Sequence, residues 1–458
     1  MAETMTAQQR LVLVIAIIAS FIAFLDGTVV NVALPAIRDE FGGGIATQQW
    51  VVDAYYITLA ALILLAGSVS DAFGRILILR VGLIGFGITS IVIALSPDAI
   101  VLFGARALQG ASGALLVPSS LALITSAMRG ALQGRAIGIW TAWTTVAFII
   151  GPILGGLFVD LVSWRWVFVI NIVPIGVTLW LTTRLEQHDV RRPDARIDWL
   201  GAVLCTLGLG GTVYALIEQP QLGWTPVIWI TLIGGILLFG AFLWRQAVTT
   251  APILPLGLFR VRNFWTGNVA TVFIYAGIYL VDLVIIIYLQ QQADFSATFA
   301  GVGILPWIIM LTVLSPFAGT WAGRYGPRLF MTLGPVVMAI GTAMLLLVSA
   351  DFNYWWQVLP ALTVFGTGLG LTVSPLTATI LGAIEPERAG IASATNNAIS
   401  RVGGLLGIAL LATITGGALD LDGLHRAAIV MAALLLVGGI VAFLGIRNPA
   451  REPVAEES

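Results

Sequence analysis

The sequence predicts an all-α integral membrane protein of fourteen transmembrane helices, arranged as two six-helix bundles plus two inserted central helices. Of 458 residues, 59% are hydrophobic and 10% charged, whereas a soluble globular chain carries about a quarter charged residues. Apolar runs long enough to cross a hydrocarbon core of ~30 Å recur along the chain. Arginines alternate from loop to loop in step with those runs, and the second part of the chain repeats glycine spacings of the first.

The runs lie near 11–33, 48–70, 77–96, 100–126, 135–159, 164–183, 198–217, 224–245, 264–290, 300–321, 329–349, 355–382, 390–414 and 427–446, separated by polar or Gly/Pro punctuation. Arg10 ahead of the first run imitates a secretory signal, but the run exceeds the ~7 to 15 residues of such a segment and is expected to stay as span 1. All 22 basic residues are arginine. With the amino terminus inside, 17 of them fall on cytoplasmic segments: Arg10; Arg75 and Arg80; Arg129 and Arg135; Arg184, Arg191, Arg192 and Arg196; Arg245, Arg260 and Arg262; Arg324 and Arg328; Arg388; Arg447 and Arg451. Arg38, Arg165 and Arg426 fall on the other side, and Arg106 and Arg401 lie within spans. That bias predicts a multi-pass protein of the cell membrane with both termini cytoplasmic.

Several function classes drop out. The net charge is -1 without a basic run, so no nucleic-acid partner is expected. A single cysteine, Cys205, makes neither an intramolecular disulfide nor a thiolate metal site. His188 and His425 fall in loops and are poor proton relays. No HExxH, GxSxG or Walker sequence is present, so no metal, cofactor, enzyme chemistry or intrinsic ATP drive is expected.

Shifting the chain by 252 places Gly67–Gly74 on Gly319–Gly326, Gly151 on Gly403 and Gly155 on Gly407. A shift of 257 sets Gly113 on Gly370 and Pro118 on Pro375. Span 3 then corresponds to span 11 and span 5 to span 13, with spans 7 and 8 inserted. The expected domains are an amino-terminal bundle over 1–190, an insert over 191–250, and a carboxy-terminal bundle with a short cytoplasmic tail over 251–458. Parallel six-helix repeats put a substrate site near the midplane between them.

An ionisable residue inside a span is a functional candidate by default. Asp26 in span 1, Asp53 in span 2 and Asp282 in span 9 are the three clear acids, and each is neutral or charged according to its partners and water access. Arg106 in span 4 needs a carboxylate or carbonyl partner. At 1.5 Å per residue, Asp26, Asp53 and Arg106 fall at similar depth, about 8 to 11 Å below the outer surface, which makes pairing feasible.

Four motifs carry a family resemblance. Leu25-Asp26-Gly27-Thr28-Val29-Val30-Asn31-Val32-Ala33-Leu34-Pro35 is similar to the first-helix signature LDxTIVNVALP. Gly67-Ser68-Val69-Ser70-Asp71-Ala72-Phe73-Gly74-Arg75 resembles the loop motif GxLaDrxGrk, with Ala72 and Ile76 standing where basic residues are usual. Arg106-Ala107-Leu108-Gln109-Gly110-Ala111-Ser112-Gly113 resembles RxxQGxGxA. Gly151-Pro152-Ile153-Leu154-Gly155-Gly156 resembles GPxxGG, and the segment Trp164–Asn171 follows it. On these residues the chain resembles the fourteen-span drug:proton antiporters of the major facilitator superfamily.

The resemblance implies a proton-coupled antiporter exporting lipophilic, cationic drugs or antibiotics by alternating access. The alternative is a dedicated exporter of one metabolite, lipid or siderophore. Proton coupling falls to Asp26, Asp53, Arg106 and Asp282, with the arginine tied by the family to proton transfer. Spans 1, 4, 9 and 12 are implied to line the cavity, and 2, 5, 10 and 13 to flank it. Candidate cavity residues are Asn31, Tyr55, Tyr56, Gln109, Trp140, Trp143, Tyr275, Tyr279, Trp307, Asn396, Asn397 and Arg401; aromatic faces with polar edges suit lipophilic cations. Gly67, Asp71, Gly74 and Arg75 form an expected latch between the bundles, and Gly151, Pro152, Gly155 and Gly156 a close-packed, bent stretch of span 5. The expected partners are the lipid bilayer, a small lipophilic substrate and protons, with the chain acting as a monomer.

Overall fold

The computed structural model describes residues 5–186, 197–385 and 388–448. Arg191, Arg192, Arg196, Arg451, His188 and the expected boundary at 190/191 lie outside the described residues. Among the described residues, thirteen helices are long and apolar enough to cross a membrane: Ala7–Phe41, Gly44–Phe73, Arg75–Ala94, Ala99–Ala127 and Leu132–Leu161 (spans 1–5), Trp199–Leu222 and Pro226–Val248 (7 and 8), and Arg262–Gln291, Ala297–Tyr325, Pro327–Leu347, Tyr354–Gly382, Ala389–Thr415 and Leu421–Gly445 (9–14). Span 6 is the shorter apolar helix Trp166–Thr182; at 1.5 Å per residue it covers only ~26 Å of the ~30 Å core.

Helix ends differ from the apolar runs where polar residues continue the helix. Span 1 passes through a tight turn at Asn31–Ala33 and resumes as Leu34–Phe41, with Pro35 in the first turn, where its missing N–H costs nothing. Span 7 runs on to Leu222 and so carries Glu218 within its last turns. Span 14 starts at Leu421, which places His425 in a helix rather than a loop, its Nε2 at 2.9 Å from the Val348 carbonyl. The large exposed side chains on the helix exteriors, such as Ile88, Val173, Leu237 and Trp244, are apolar, as a lipid-facing surface requires.

Spans 1–6 and 9–14 (the first and second halves below) are built with matching contacts. Gly155 packs against span 1, where an added Cβ would stand 2.7 Å from the Val29 carbonyl; Gly407 packs against span 9 in the same way, 2.9 Å from the Ala276 carbonyl. Gly74 and Gly326, 252 residues apart, close spans 2 and 10 at φ of 107° and 92°, a region in which only glycine is unstrained. Across the middle, span 2 packs on span 13 and span 5 on span 10, two seams that the repeat interchanges.

Spans 7 and 8 form a hairpin whose backbones meet closely: a Cβ on Gly208 would lie 2.7 Å from the Phe239 nitrogen. Its loop end is fastened to span 2, where the Trp50 indole N–H donates to Glu218 at 2.7 Å. Its open end is clamped by Asp198, which caps Gly201 N–H at 2.9 Å and accepts from Arg245 at 2.6 Å and Gln246 at 2.9 Å.

The hydrogen bonds between the halves gather at the end of the bundle away from both termini, here the far end. Asn31 donates to Asp282 at 2.6 Å, Gln290 to the Val32 carbonyl at 3.1 Å, and Gln49 to the carbonyls of Ile408 and Ala409 at 2.6 and 3.0 Å. Asp160, at the end of span 5, accepts from the backbone N–H groups of Ala297 and Thr298 at 3.0 and 2.8 Å, capping span 10 from the opposite half.

Candidate functional site

Asp26 and Arg106 meet inside the first half. The Arg106 Nη1 to Asp26 Oδ2 distance is 2.6 Å, with both side chains almost fully buried. Its Nε donates to the Val51 carbonyl at 2.9 Å, and Nη1 donates also to Gln109 Oε1 at 2.6 Å. Gln109 donates to the other Asp26 oxygen at 3.1 Å and to Ser90 at 3.0 Å, and Asn171 of span 6 adds a donor to Asp26 at 3.3 Å. A buried ion pair offsets its desolvation only when the remaining lone pairs and protons find partners, and spans 2, 4 and 6 supply such partners here. Gly110 makes the approach feasible, since a Cβ there would collide with the Tyr55 carbonyl and Thr58.

Tyr55 separates this cluster from the space between the halves. One ring face lies 4.4 Å from the Arg106 guanidinium carbon. The ring also lines a narrow cleft with Phe24, Leu59, Val117, Asn397 and Arg401, running toward the terminal end. Spans 1, 2, 4 and 13 wall the cleft, so spans 2 and 13, expected to flank the cavity, reach it directly. Arg401 donates to the Tyr279 hydroxyl at 2.9 Å and stands over the Tyr56 ring at 5.5 Å. Tyr56 and Tyr279 meet edge to face at 5.3 Å, and Tyr275 follows at 6.5 Å from Tyr279. Arg401 thus belongs to an aromatic patch shared by both halves.

The other two acids face the seam. Gln49 and Tyr56 on span 2 touch spans 13 and 9, and Asp53 sits between them on the same helical face, four residues from one and three from the other. Asp53 is fully buried, and neither carboxyl oxygen has a hydrogen-bond partner among the described residues. Asp282 is joined across the seam to Asn31. It lies nine residues before the end of Arg262–Gln291, toward the far end rather than at the middle of span 9.

Not every expected residue comes to the seam. Trp140 is buried within the first half and donates to Ser20 at 3.0 Å. Trp143 is 57% exposed and away from the cleft lining. Trp307 packs edge-on against Phe365 at 6.3 Å. Asn396 is engaged with Asn268 and Thr271 of span 9 at 3.1 and 2.9 Å, and Gln109 serves Asp26.

Asp71, in the last turn of span 2, and Arg75, at the start of span 3, pair with each other at 3.1 Å, and Arg75 also bonds the Ala122 carbonyl at 2.9 Å. Those bonds brace the first half; Gly67 meets nothing close. The GPxxGG stretch divides its contacts. Gly151 and Gly155 pack on span 1, whereas Gly156 lies against Ala297 and Thr298 and the Pro152 carbonyl against Gly301 of span 10. The tryptophan segment braces the far end of the first half, with Trp164 and Arg165 both donating to Glu40 at 2.7 Å.

Gln49, Asp160, Asn171 and Glu218 are polar residues with structural roles that the sequence reading passed over. Asp160 and Glu218 fall just past the apolar runs that defined spans 5 and 7, so only a longer helix assignment brings them into the membrane.

The sequence profile of the Major Facilitator Superfamily matches residues 16–408. Similar proteins include the multidrug resistance protein Stp of Mycobacterium tuberculosis, 32% identical over 90% of this chain and 76% of that protein. The puromycin resistance protein pur8 of Streptomyces alboniger is 35% identical over 89% of this chain and 82% of its own. The methylenomycin A resistance protein of Bacillus subtilis is 31% identical over 88% and 87%.

Proposed function

Because the chain belongs to the Major Facilitator Superfamily, a family of transporters rather than enzymes, and is related to drug and antibiotic resistance exporters, we propose that it exchanges protons for lipophilic, cationic drugs or antibiotics by alternating access. It works in the cell membrane as a monomer, with both termini cytoplasmic. The observation that carries this reading is the Asn31–Asp282 bond between the halves, where a change of protonation is felt by the seam itself; it is supported by buried Asp53, on the same face of span 2 as Gln49 and Tyr56.

Asp26 is matched by Arg106, so among the described residues the charges left at the seam are the carboxylates of Asp53, Asp160 and Asp282 and the Arg401 guanidinium. With Asp53 and Asp282 ionised the seam is net negative, which favours a cation. A carboxylate site holds either a proton or a cationic drug. On the terminal side the acids release protons and the narrow cleft must widen to take up the drug beside Tyr55 and Arg401. Reorientation breaks the Asn31, Gln49, Gln290 and Asp160 bonds at the far end. Protons arriving from outside then displace the cation, and the neutral seam closes again. Asn31 donates a charge-assisted bond to ionised Asp282, roughly twice as strong as a neutral one, so a cation that takes over that carboxylate removes one fastening of the far end.

In liposomes, protein carrying Asp282→Asn is expected to lose proton-driven ethidium efflux, and Asp53→Asn to lose most of it. Unchanged coupled transport in both variants refutes the reading. A second reading, a dedicated exporter of one metabolite, lipid or siderophore, draws on Arg401, whose guanidinium in the cleft suits a cargo with an acceptor group. Competition by a panel of unrelated lipophilic compounds separates the two, since a dedicated exporter answers to one of them.

A further inference from the structure

Outside the seam, a second arrangement suits a cation. Trp50 of span 2, Phe103 of span 4 and Tyr214 of span 7 form an aromatic cluster, with the Trp50 ring 6.1 Å from Phe103 and 6.0 Å from Tyr214. The Trp50 indole N–H donates to the Glu218 carboxylate at 2.7 Å. A hydrogen bond from an indole to an anion enriches the ring's π face, the face that attracts cations. Beside it lies a cavity of about 380 Å³, walled by Trp50, Ala54, Thr58, Ile100, Phe103 and Ala107, within the ~300 to 1,000 Å³ range of small-molecule pockets. It opens sideways from the helix bundle, since Ile100 on its rim is 82% exposed. Glu218 has no arginine within ion-pairing distance among the described residues.

We infer that this groove between spans 2 and 4, backed by span 7, is a peripheral binding site for lipophilic cations, distinct from the cleft between the halves. The apolar walls take the hydrophobic body of the ligand. Its positive charge rests on the Trp50 and Phe103 rings within reach of the Glu218 field. The site lies toward the far end, in the half of the membrane opposite the termini, where an exported cation leaving the seam or one dissolved in the bilayer is collected. Its ligand class rests on the export proposed above, but the site binds without any movement of the halves.

The test is calorimetric titration of the purified full-length protein in nanodiscs with tetraphenylphosphonium, alongside the liposome efflux assay. Glu218→Gln is expected to weaken one class of tetraphenylphosphonium binding by about tenfold, and Ala107→Trp, which fills the groove from its outer wall, to abolish that class. A neutral lipophile of similar size should respond to Ala107→Trp and not to Glu218→Gln. If Glu218→Gln proves unstable in a thermal melt, Ala107→Trp decides alone. Wild-type binding in the folded variants overturns the site, whereas loss of efflux in Asp282→Asn beside it leaves the export reading intact. Conversely, weakened binding in Glu218→Gln together with unchanged transport in Asp282→Asn and Asp53→Asn keeps the groove and removes the coupling scheme.

Discussion

Adding one methyl group at the far-end seam should tip the carrier toward its other state. At Gly156 a Cβ would lie 2.6 Å from the Thr298 nitrogen and 2.7 Å from the Ala297 carbonyl, with the Thr298 Cα nearer still. Ordinary non-bonded contacts settle at about 3.5 to 4.0 Å, so Gly156→Ala must push spans 5 and 10 apart by roughly 0.8 Å or more. Asp160 holds the same two residues at 3.0 and 2.8 Å, and those bonds lengthen with it. Overpacking of this kind costs about 1 to 3 kcal/mol, and the cost is confined to the state sealed at the far end. The ratio of sealed to open molecules should therefore fall by about 5- to 150-fold. Spin labels at Leu161→Cys and Phe299→Cys, both exposed at the ends of the two helices, in a Cys205→Ser background, report that ratio as a longer-distance population. Gly155→Ala is the control. Its Cβ meets Val29 and Val32 of the same half, so it should lower thermal stability without moving the distance distribution. A Gly156→Ala distribution identical to the parent's, in protein that melts normally, would refute the assignment of this seam as the gate.

Removing one member of the buried pair should cost far more than removing both charges. Arg106→Ala leaves Asp26 buried without its partner, a loss of about 3 to 5 kcal/mol, visible as a large drop in melting temperature in detergent, while Asp26→Asn with Arg106→Gln should melt closer to wild type. Asp198, just outside span 7, offers a pH test. Burial raises its pKa, but the Gly201 N–H, Gln246 and Arg245 outweigh that and leave it below the usual aspartate range. Its contribution to stability is therefore complete above the unfolded value of about 3.9 and disappears as pH falls through the lower folded value. The melting-temperature gap between wild type and Asp198→Asn should be constant from pH 7 to about 5 and shrink below about 4; a gap that persists at acid pH would exclude the carboxylate as its origin.

How far the sequence reached depends on what each signal measures. Apolar run length finds helices, and counting depth along ideal helices brings Asp26, Asp53 and Arg106 to one level, but it does not tell which acid meets the arginine; that is set by helix rotation and packing. The same signal places span ends by polarity. It therefore left Asp160 and Glu218 in loops and stopped span 1 before Phe41, although a helix keeps its backbone bonds through several polar residues. Side-chain roles were legible only where a residue had no local alternative. Trp140 found Ser20 and Asn396 found Asn268 and Thr271 within their own halves, matches that composition cannot foresee. The glycine motif of span 5 announced close packing, yet nothing in its spacing tells Gly155, which faces span 1, from Gly156, which faces span 10.

The hairpin of spans 7 and 8 is tied by Trp50–Glu218 to span 2, and Gln221 reaches the Gly43 carbonyl at 3.4 Å. Its hydrogen-bonded moorings thus lie on one side of the rocking axis. Under the proposed alternating access, a carrier so fastened is expected to swing as eight helices against six, with the lighter bundle doing most of the visible travel. The stacked pair Trp224 and Trp229 at the hairpin tip then serves as a fixed beacon on the heavy side, against which a fluorophore placed on span 14 would record each stroke.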